Sequence, residues 1–283
     1  MQRSPGRLWI VATPIGNLAD LSPRARDTLR AVALIAAEDT RHSAALLVHA
    51  GAQARVVALH EHNERDQCAR IVERLLAGDD VALISDAGTP LVSDPGYRLV
   101  RAAREAGCVV SPVPGPCAAI AALSVAGLAS DRFVFEGFLP ARAAARRERM
   151  RELAAETRTL IFYESGHRIV DSLADACAVF GDGRAAVLAR ELTKLFETVL
   201  GDTLGAIAVR LSQDANQQRG EFVLLLGGAA GDDADRSLVE GRRVFALLRA
   251  ELPPARAAKL AAAISGAPRK ALYVDTGGDD AAV

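Results

Sequence analysis

The ionisable residues of this sequence gather in short clusters, each directly after an apolar run. Glu38-Asp39-Thr40-Arg41-His42 follows Leu34–Ala37, and His60-Glu61-His62-Asn63-Glu64 follows the run 55–59. Ser85-Asp86-Ala87-Gly88-Thr89-Pro90 follows Val81–Ile84. Later, Glu164-Ser165-Gly166-His167-Arg168 follows 159–163, and Arg190-Glu191-Leu192-Thr193-Lys194 follows 185–189. A glycine, hydroxyls, carboxylates and free backbone amides at such places can line a substrate cleft, and Arg and Lys there can hold phosphates. Each cluster also reads as a helix cap with solvated charges. His60 and His62 stand two apart with no HExxH spacing, so a polar rim is expected there rather than a metal site. Thr13-Pro14-Ile15-Gly16-Asn17 occupies the place of a dinucleotide fingerprint but has one glycine and a proline, and no GxxxxGK[ST] run occurs. Any cofactor should therefore need no pyrophosphate cradle.

The apolar runs must be strands that carry the clusters on their ends. Residues 8–12, 34–37, 55–59, 81–84 and 108–113 alternate with helical patterns, which predicts a parallel or mixed α/β sheet. Ser22-Pro23 marks one helix start, and Asp94-Pro95 is expected to cap another that begins near Tyr97. Ligands bind beyond the carboxyl ends of strands in such sheets, which singles out 81–96. Pro114-Gly115-Pro116 is a candidate hinge, and the pattern then restarts, with strands expected at 133–138, 159–163, 185–189 and 222–226. Between the first two lies a helix over 142–156 carrying Arg142, Arg146, Arg147, Arg149 and Arg151. Such a run is either a solvated face or a surface for a nucleic-acid backbone. A Gly/Ala/Asp-rich linker leads to short helices over 237–251, 255–265 and 268–274. The expected division is 1–113, 114–229 and 230–283.

At 283 residues, half of them hydrophobic, the chain can bury substantial cores. A net charge of −1 announces no global attraction for nucleic acid, so RNA contact must come from local patches. No apolar run reaches membrane-spanning length and no secretory segment is visible. Cys68, Cys108, Cys117 and Cys177 are scattered without a CxxC pair, which points to a reduced, cytoplasmic setting.

Taken together, LWIVATPIGNLADLSPRA, AAEDTRHS, ALHEHNE, LISDAGTPLVSDPGYRLV, VPGPCAAIAALSVAGL, FEGFLP, LIFYESGHR, LARELTK and RGEFVLLL closely resemble the ribosomal RNA methyltransferase branch of the tetrapyrrole-methylase superfamily. The resemblance runs from Leu8 to about Gly227. It implies two α/β domains with a small basic helical tail, a homodimer, and S-adenosylmethionine bound between the domains. The reaction it implies is 2′-O-methylation of a cytidine ribose in the decoding region of 16S ribosomal RNA, with the small ribosomal subunit as partner. By position, it also implies cofactor contacts at Pro14, Ala87, Gly88, Thr89, Val92, Cys117 and Ala118, and near Tyr163, Glu164, Leu192 and Glu221. Thr89 stands where tetrapyrrole members carry aspartate, which counts against the alternative substrate, a tetrapyrrole.

A methyl group on sulfonium is already electrophilic, whereas a ribose hydroxyl is a poor nucleophile until its proton is leaving. The site must therefore add positioning and a base. Candidates for orienting or deprotonating the hydroxyl are Asp39, His62, Glu64 and Asp86. Those for phosphate contacts are Arg41, Arg168, Arg190 and Lys194. This chemistry requires no metal.

Overall fold

A computed structural model describes residues 4–60, 63–229 and 233–272. Inner strands of a parallel sheet are covered on both faces and read as unbroken apolar runs. β2 (Leu34–Ala37) and β4 (Val81–Ile84) are of this kind, buried at every position. With β1 (Arg7–Val11), β3 (Arg55–Ala58) and β5 (Val109–Val113) they make a parallel sheet in the order β3-β2-β4-β1-β5. Successive side chains point to opposite faces. Val11, Ile35, Ala37 and Ile84 therefore pack on α1 (Pro23–Ala31) and α2 (Ala44–Ala50). Leu8, Leu34, Ala36 and Leu83 pack on α3 (Glu64–Leu76) and α4 (Tyr97–Glu105). Ser22 caps α1, its Oγ accepting from the Ala25 N–H at 3.1 Å.

The chain lays down β1, β2 and β3 outward, then returns to insert β4 between β2 and β1. The crevice beyond β1 and β4 is thus a topological switch point, the place where open α/β sheets bind ligands. Loops 13–17 and 85–96 meet there. They are stapled by an antiparallel bridge in which Thr13 N–H donates to Gly88 O at 2.8 Å and Gly88 N–H to Thr13 O at 3.1 Å.

The second sheet contains β6 (Phe133–Phe138), β7 (Thr159–Ser165), β8 (Ala185–Arg190), β9 (Thr198–Thr203) and β10 (Glu221–Leu226), in the order β6-β7-β10-β8-β9. Only β6 and β7 run parallel; the other pairs are antiparallel. Ile161, Val187, Val223 and Leu225 face α5 (Ala118–Val125). Leu160, Phe162, Leu188 and Leu224 face α6 (Ala143–Glu152), α7 (Ile169–Phe180) and α8 (Leu204–Gln213). Both sheets belong to one compact unit, 1–227. The unit 228–283 is built on α9 (Asp233–Arg249) and α10 (Pro254–Ser265), with Phe245, Ala257 and Ala261 in its own small core. Its expected third helix is a 3-10 turn, Arg269–Leu272.

Three local expectations change. Asp94 does not cap α4: the capping position is Gly96, and Pro95 lies outside the helix. β9 was not anticipated, because TVLGDT is an edge strand that is mostly exposed and interrupted by glycine. The arginines of α6 are largely spent inside the chain. Arg146, 4% exposed, pairs with Asp175 at 2.6 Å, and Arg147 takes the other oxygen at 2.9 Å. Arg149 pairs with Glu136 and Glu152, and Arg151 with Glu148. Among the described residues, no helix is long and apolar enough to cross a membrane.

Candidate functional site

Beyond the ends of β1 and β4 a cavity of about 300 Å³ opens between the two sheets. From the first sheet come Ile15, Glu38, Asp86, Gly88, Thr89, Val92 and Asp94; from the second come Phe138, Tyr163, Glu164, Leu192, Lys194 and Val223. Cys117 and Ala118 close it at the start of α5. Apolar walls with a few convergent polar groups are what a small-molecule site requires. Thr89 Oγ1 donates to Pro116 O at 2.9 Å and fixes loop 85–96 to the turn before α5. Tyr163 Oη accepts from the Ala119 N–H at 3.1 Å, and its ring lies edge-on to Phe135 and Phe138. Burial raises the Tyr163 phenol above its ordinary pKa, so it stays neutral.

The backbone around this cavity is strained. Among the described residues, the non-glycine positions with left-handed backbone are Leu91 (φ 73°), Ser93 (φ 69°), Glu191 (φ 50°) and Thr193 (φ 67°). Two fall in the loop after β4 and two in the loop after β8. Each costs roughly 1–2 kcal/mol, and such strain concentrates at functional sites. The two sheets also touch here. A Cβ on Gly137 of β6, at φ +66°, would lie 2.7 Å from Ser93 Oγ. One on Gly16, at φ +148°, would collide with the Lys194 side chain, whose stem reaches from the β8 loop onto the β1 loop. Lys194 Nζ donates to Glu191 at 2.9 Å and Glu221 at 2.7 Å. Burial works against the ammonium, but these two carboxylates outweigh it and raise its pKa.

Of the expected cofactor contacts, Ala87, Gly88, Thr89, Val92, Cys117, Ala118, Tyr163, Glu164, Leu192 and Glu221 line the cavity. Pro14 is buried and does not line the cavity, whereas its neighbour Ile15 does. Asp86 and Lys194 also line it, and Asp86 Oδ1 accepts from the Asp39 N–H at 3.0 Å. The remaining candidates are engaged elsewhere. Glu64 is buried and accepts from the Arg98 N–H at 3.0 Å, which caps α4. Asp39 turns to Arg41 at 3.1 Å, and hydrogen bonds from Arg41 lower its carboxyl to about 2. Arg168 holds Leu139 O at 2.6 Å and pairs with Glu164 at 3.3 Å, while Glu164 also accepts from Ser172 Oγ at 2.6 Å. Arg190 donates to the carbonyls of Arg219, Phe196 and Asn216 at 2.7, 3.1 and 3.0 Å. Arg168 and Arg190 thus serve as clamps on backbone carbonyls. His62 lies outside the described residues.

Glu38 and Asp94 were missed as site residues. Asp94 read as a helix cap because it precedes proline and glycine. The left-handed turns at Leu91 and Ser93 bring it to the cavity wall instead. Burial pushes its carboxyl up to about 6; a Ser85 hydrogen bond opposes this, and the charges of Glu38 and Asp86 add to it. Among the described residues, no group of three or more His, Cys, Asp or Glu is placed to hold a metal.

The model of the tetrapyrrole (corrin/porphyrin) methylases matches residues 7–208, and that of the RsmI C-terminal HTH domain matches 235–274. The ribosomal RNA small subunit methyltransferase I of Xylella fastidiosa (strain Temecula1) is 60% identical over 270 residues, covering 95% of this chain and 98% of that protein. The protein of the same name from Escherichia coli O157:H7 is 54% identical over 270 residues, covering 95% and 94%. A solved uroporphyrin-III C-methyltransferase from Thermus thermophilus, complexed with S-adenosyl homocysteine, superposes with a TM-score of 0.54. It is 18% identical and covers 78% of this chain and 97% of that one, a likeness of fold. With its two sheets, its switch-point cavity and relatives this similar along nearly its whole length, the chain belongs to the tetrapyrrole methylase family, on the branch of the ribosomal RNA small subunit methyltransferases I.

Proposed function

We propose that this protein methylates 16S ribosomal RNA in the cytoplasm, on the 2′ hydroxyl of a cytidine ribose in the decoding region, using S-adenosylmethionine and acting as a homodimer. The observation that carries this reading is the make-up of the cavity. Glu38, Asp86 and Asp94 put negative charge on one wall, and Ile15, Val92, Leu192 and Val223 supply apolar cover. The carboxylates suit the sulfonium charge of S-adenosylmethionine, and the apolar cover suits the flat face of its adenine ring. The similarity to relatives named for small-subunit ribosomal RNA supports the substrate class.

When bound, S-adenosylmethionine supplies a methyl group that needs no further activation. Ala87, Gly88, Thr89, Val92, Cys117, Ala118, Tyr163 and Leu192 are the residues that would hold it. The Thr13–Gly88 bridge and the Thr89–Pro116 bond fix loop 85–96, so that positioning costs little at the moment of reaction. Lys194 lines the cavity, and its stem rests on Gly16, so it links the loop after β8 to the loop after β1. Of the four cations considered for phosphate, it alone lines the cavity.

Mass spectrometry of ribosomal RNA from cells lacking the protein tests the proposal. One ribose-methylated cytidine in 16S RNA should vanish and return with the gene. An unchanged methylation pattern would remove the substrate, and light scattering of the purified protein tests the dimer.

A further inference from the structure

We propose that Asp94 is the group that takes the proton of the ribose hydroxyl during methyl transfer. The assignment rests on the ribose-methylation reading above and supplies the base that reading lacks. It stands on geometry. Asp94 lines the cavity, carried on a loop in which Leu91 and Ser93 both adopt left-handed backbone. Ser93 packs against Gly137 of the opposite sheet, so the loop is held from both sides. The other cavity carboxylates have structural work. Asp86 receives the Asp39 N–H, Glu164 holds Ser172 and Arg168, and Glu221 pairs with Lys194. Glu38 accepts from the Asp86 N–H at 3.5 Å.

The groups facing Asp94 are Glu38 at the end of β2, Asp86 and the Ser85 hydroxyl beyond β4, and Tyr163 on β7; Glu164 and the Lys194–Glu221 pair line the same cavity. Burial and the neighbouring negative charges bring its carboxyl up to about 6, close to where a general base works best at neutral pH. As the ribose oxygen bonds to the methyl carbon, its proton passes to an Asp94 oxygen. The electron pair of the breaking carbon–sulfur bond stays on sulfur, which goes from sulfonium to neutral thioether. Asp94 then releases the proton to water.

Single-turnover methyl transfer to small-subunit RNA, followed across pH in wild type and Asp94→Asn, tests this together with calorimetric binding of S-adenosylmethionine. The wild-type rate should rise through pH about 6 and level off. Asp94→Asn should lose roughly 100- to 10,000-fold in rate and lose that acid limb. Its cofactor affinity should fall far less than its rate, by no more than about tenfold, because Glu38 and Asp86 keep negative charge on the same wall, and Asp94→Glu should recover part of the rate. Carbon-13 NMR of the wild-type carboxyl, without cofactor, should titrate near 6. A midpoint at the ordinary carboxylate value of about 4, or an Asp94→Asn enzyme as fast as wild type, would overturn the assignment. Wild-type protein that binds the cofactor yet leaves RNA ribose unmethylated would overturn the ribose-methylation reading itself.

Discussion

Replacing Arg190 with alanine separates a backbone clamp from a phosphate ligand. The residue is 9% exposed, and its guanidinium makes three charge-assisted hydrogen bonds, to the carbonyls of Arg219, Phe196 and Asn216. Bonds to a charged group contribute about 1.5–3 kcal/mol each, which bounds the loss at about 9 kcal/mol. Residues 196, 216 and 219 are exposed, so their freed carbonyls regain water. A net loss of about 3–5 kcal/mol remains. For a unit of this size that lowers Tm by roughly 6–20 °C. Arg190→Lys, with one compact ammonium in place of a fork, should recover only part. Thermal unfolding by circular dichroism measures both variants, with RNA affinity determined in parallel below the transition. Arg190→Ala unfolding within about 2 °C of wild type, but with RNA binding lost, would refute the clamp and restore the phosphate role.

Asp175→Asn leaves buried Arg146 without its counter-charge and should cost about 3–5 kcal/mol in urea unfolding. Burial opposes ionisation of Asp175, but Arg147 and Arg146 outweigh it and lower its pKa. Its contribution is therefore complete above the ordinary carboxylate range and lost as pH falls through the lowered value; the variant should show a smaller loss of stability in acid. Gly16→Val pushes the Lys194 stem off the β1 loop and should weaken S-adenosylmethionine binding about tenfold in calorimetry; unchanged affinity would remove that contact from the site. Glu64→Ala uncaps α4 and should cost about 1–2 kcal/mol with the single-turnover rate unchanged. A stable but slow Glu64→Ala enzyme would return that residue to the chemistry.

The first sheet was legible because its inner strands are covered on both faces, which leaves Leu34–Ala37 and Val81–Ile84 as unbroken apolar runs. The cavity walls were legible because each polar cluster follows a strand end, and strand ends converge at the switch point. The roles of single side chains were less so. Arg190 looked available because its partners are backbone carbonyls 6, 26 and 29 residues away, which no side-chain pattern reveals. The α6 arginines looked like one basic face because Asp175 and Glu136 lie elsewhere in the chain. Asp94 was masked by a Ser-Asp-Pro-Gly sequence that fits a cap, and the left-handed turns at Leu91 and Ser93 use neither glycine nor asparagine.

Those turns, with Glu191 and Thr193, carry a consequence for how this enzyme can change. Glycine at Ser93 or Thr193, unlike at Leu91 packed on the core or Glu191 in its ion pair with Lys194, would relieve roughly 1–2 kcal/mol of backbone strain at little cost in contacts. The most accessible stabilising substitutions thus sit beside the cavity between the two sheets. Selection for heat tolerance alone would drift toward them and slacken the loops that shape the proposed site, the usual exchange of function for stability.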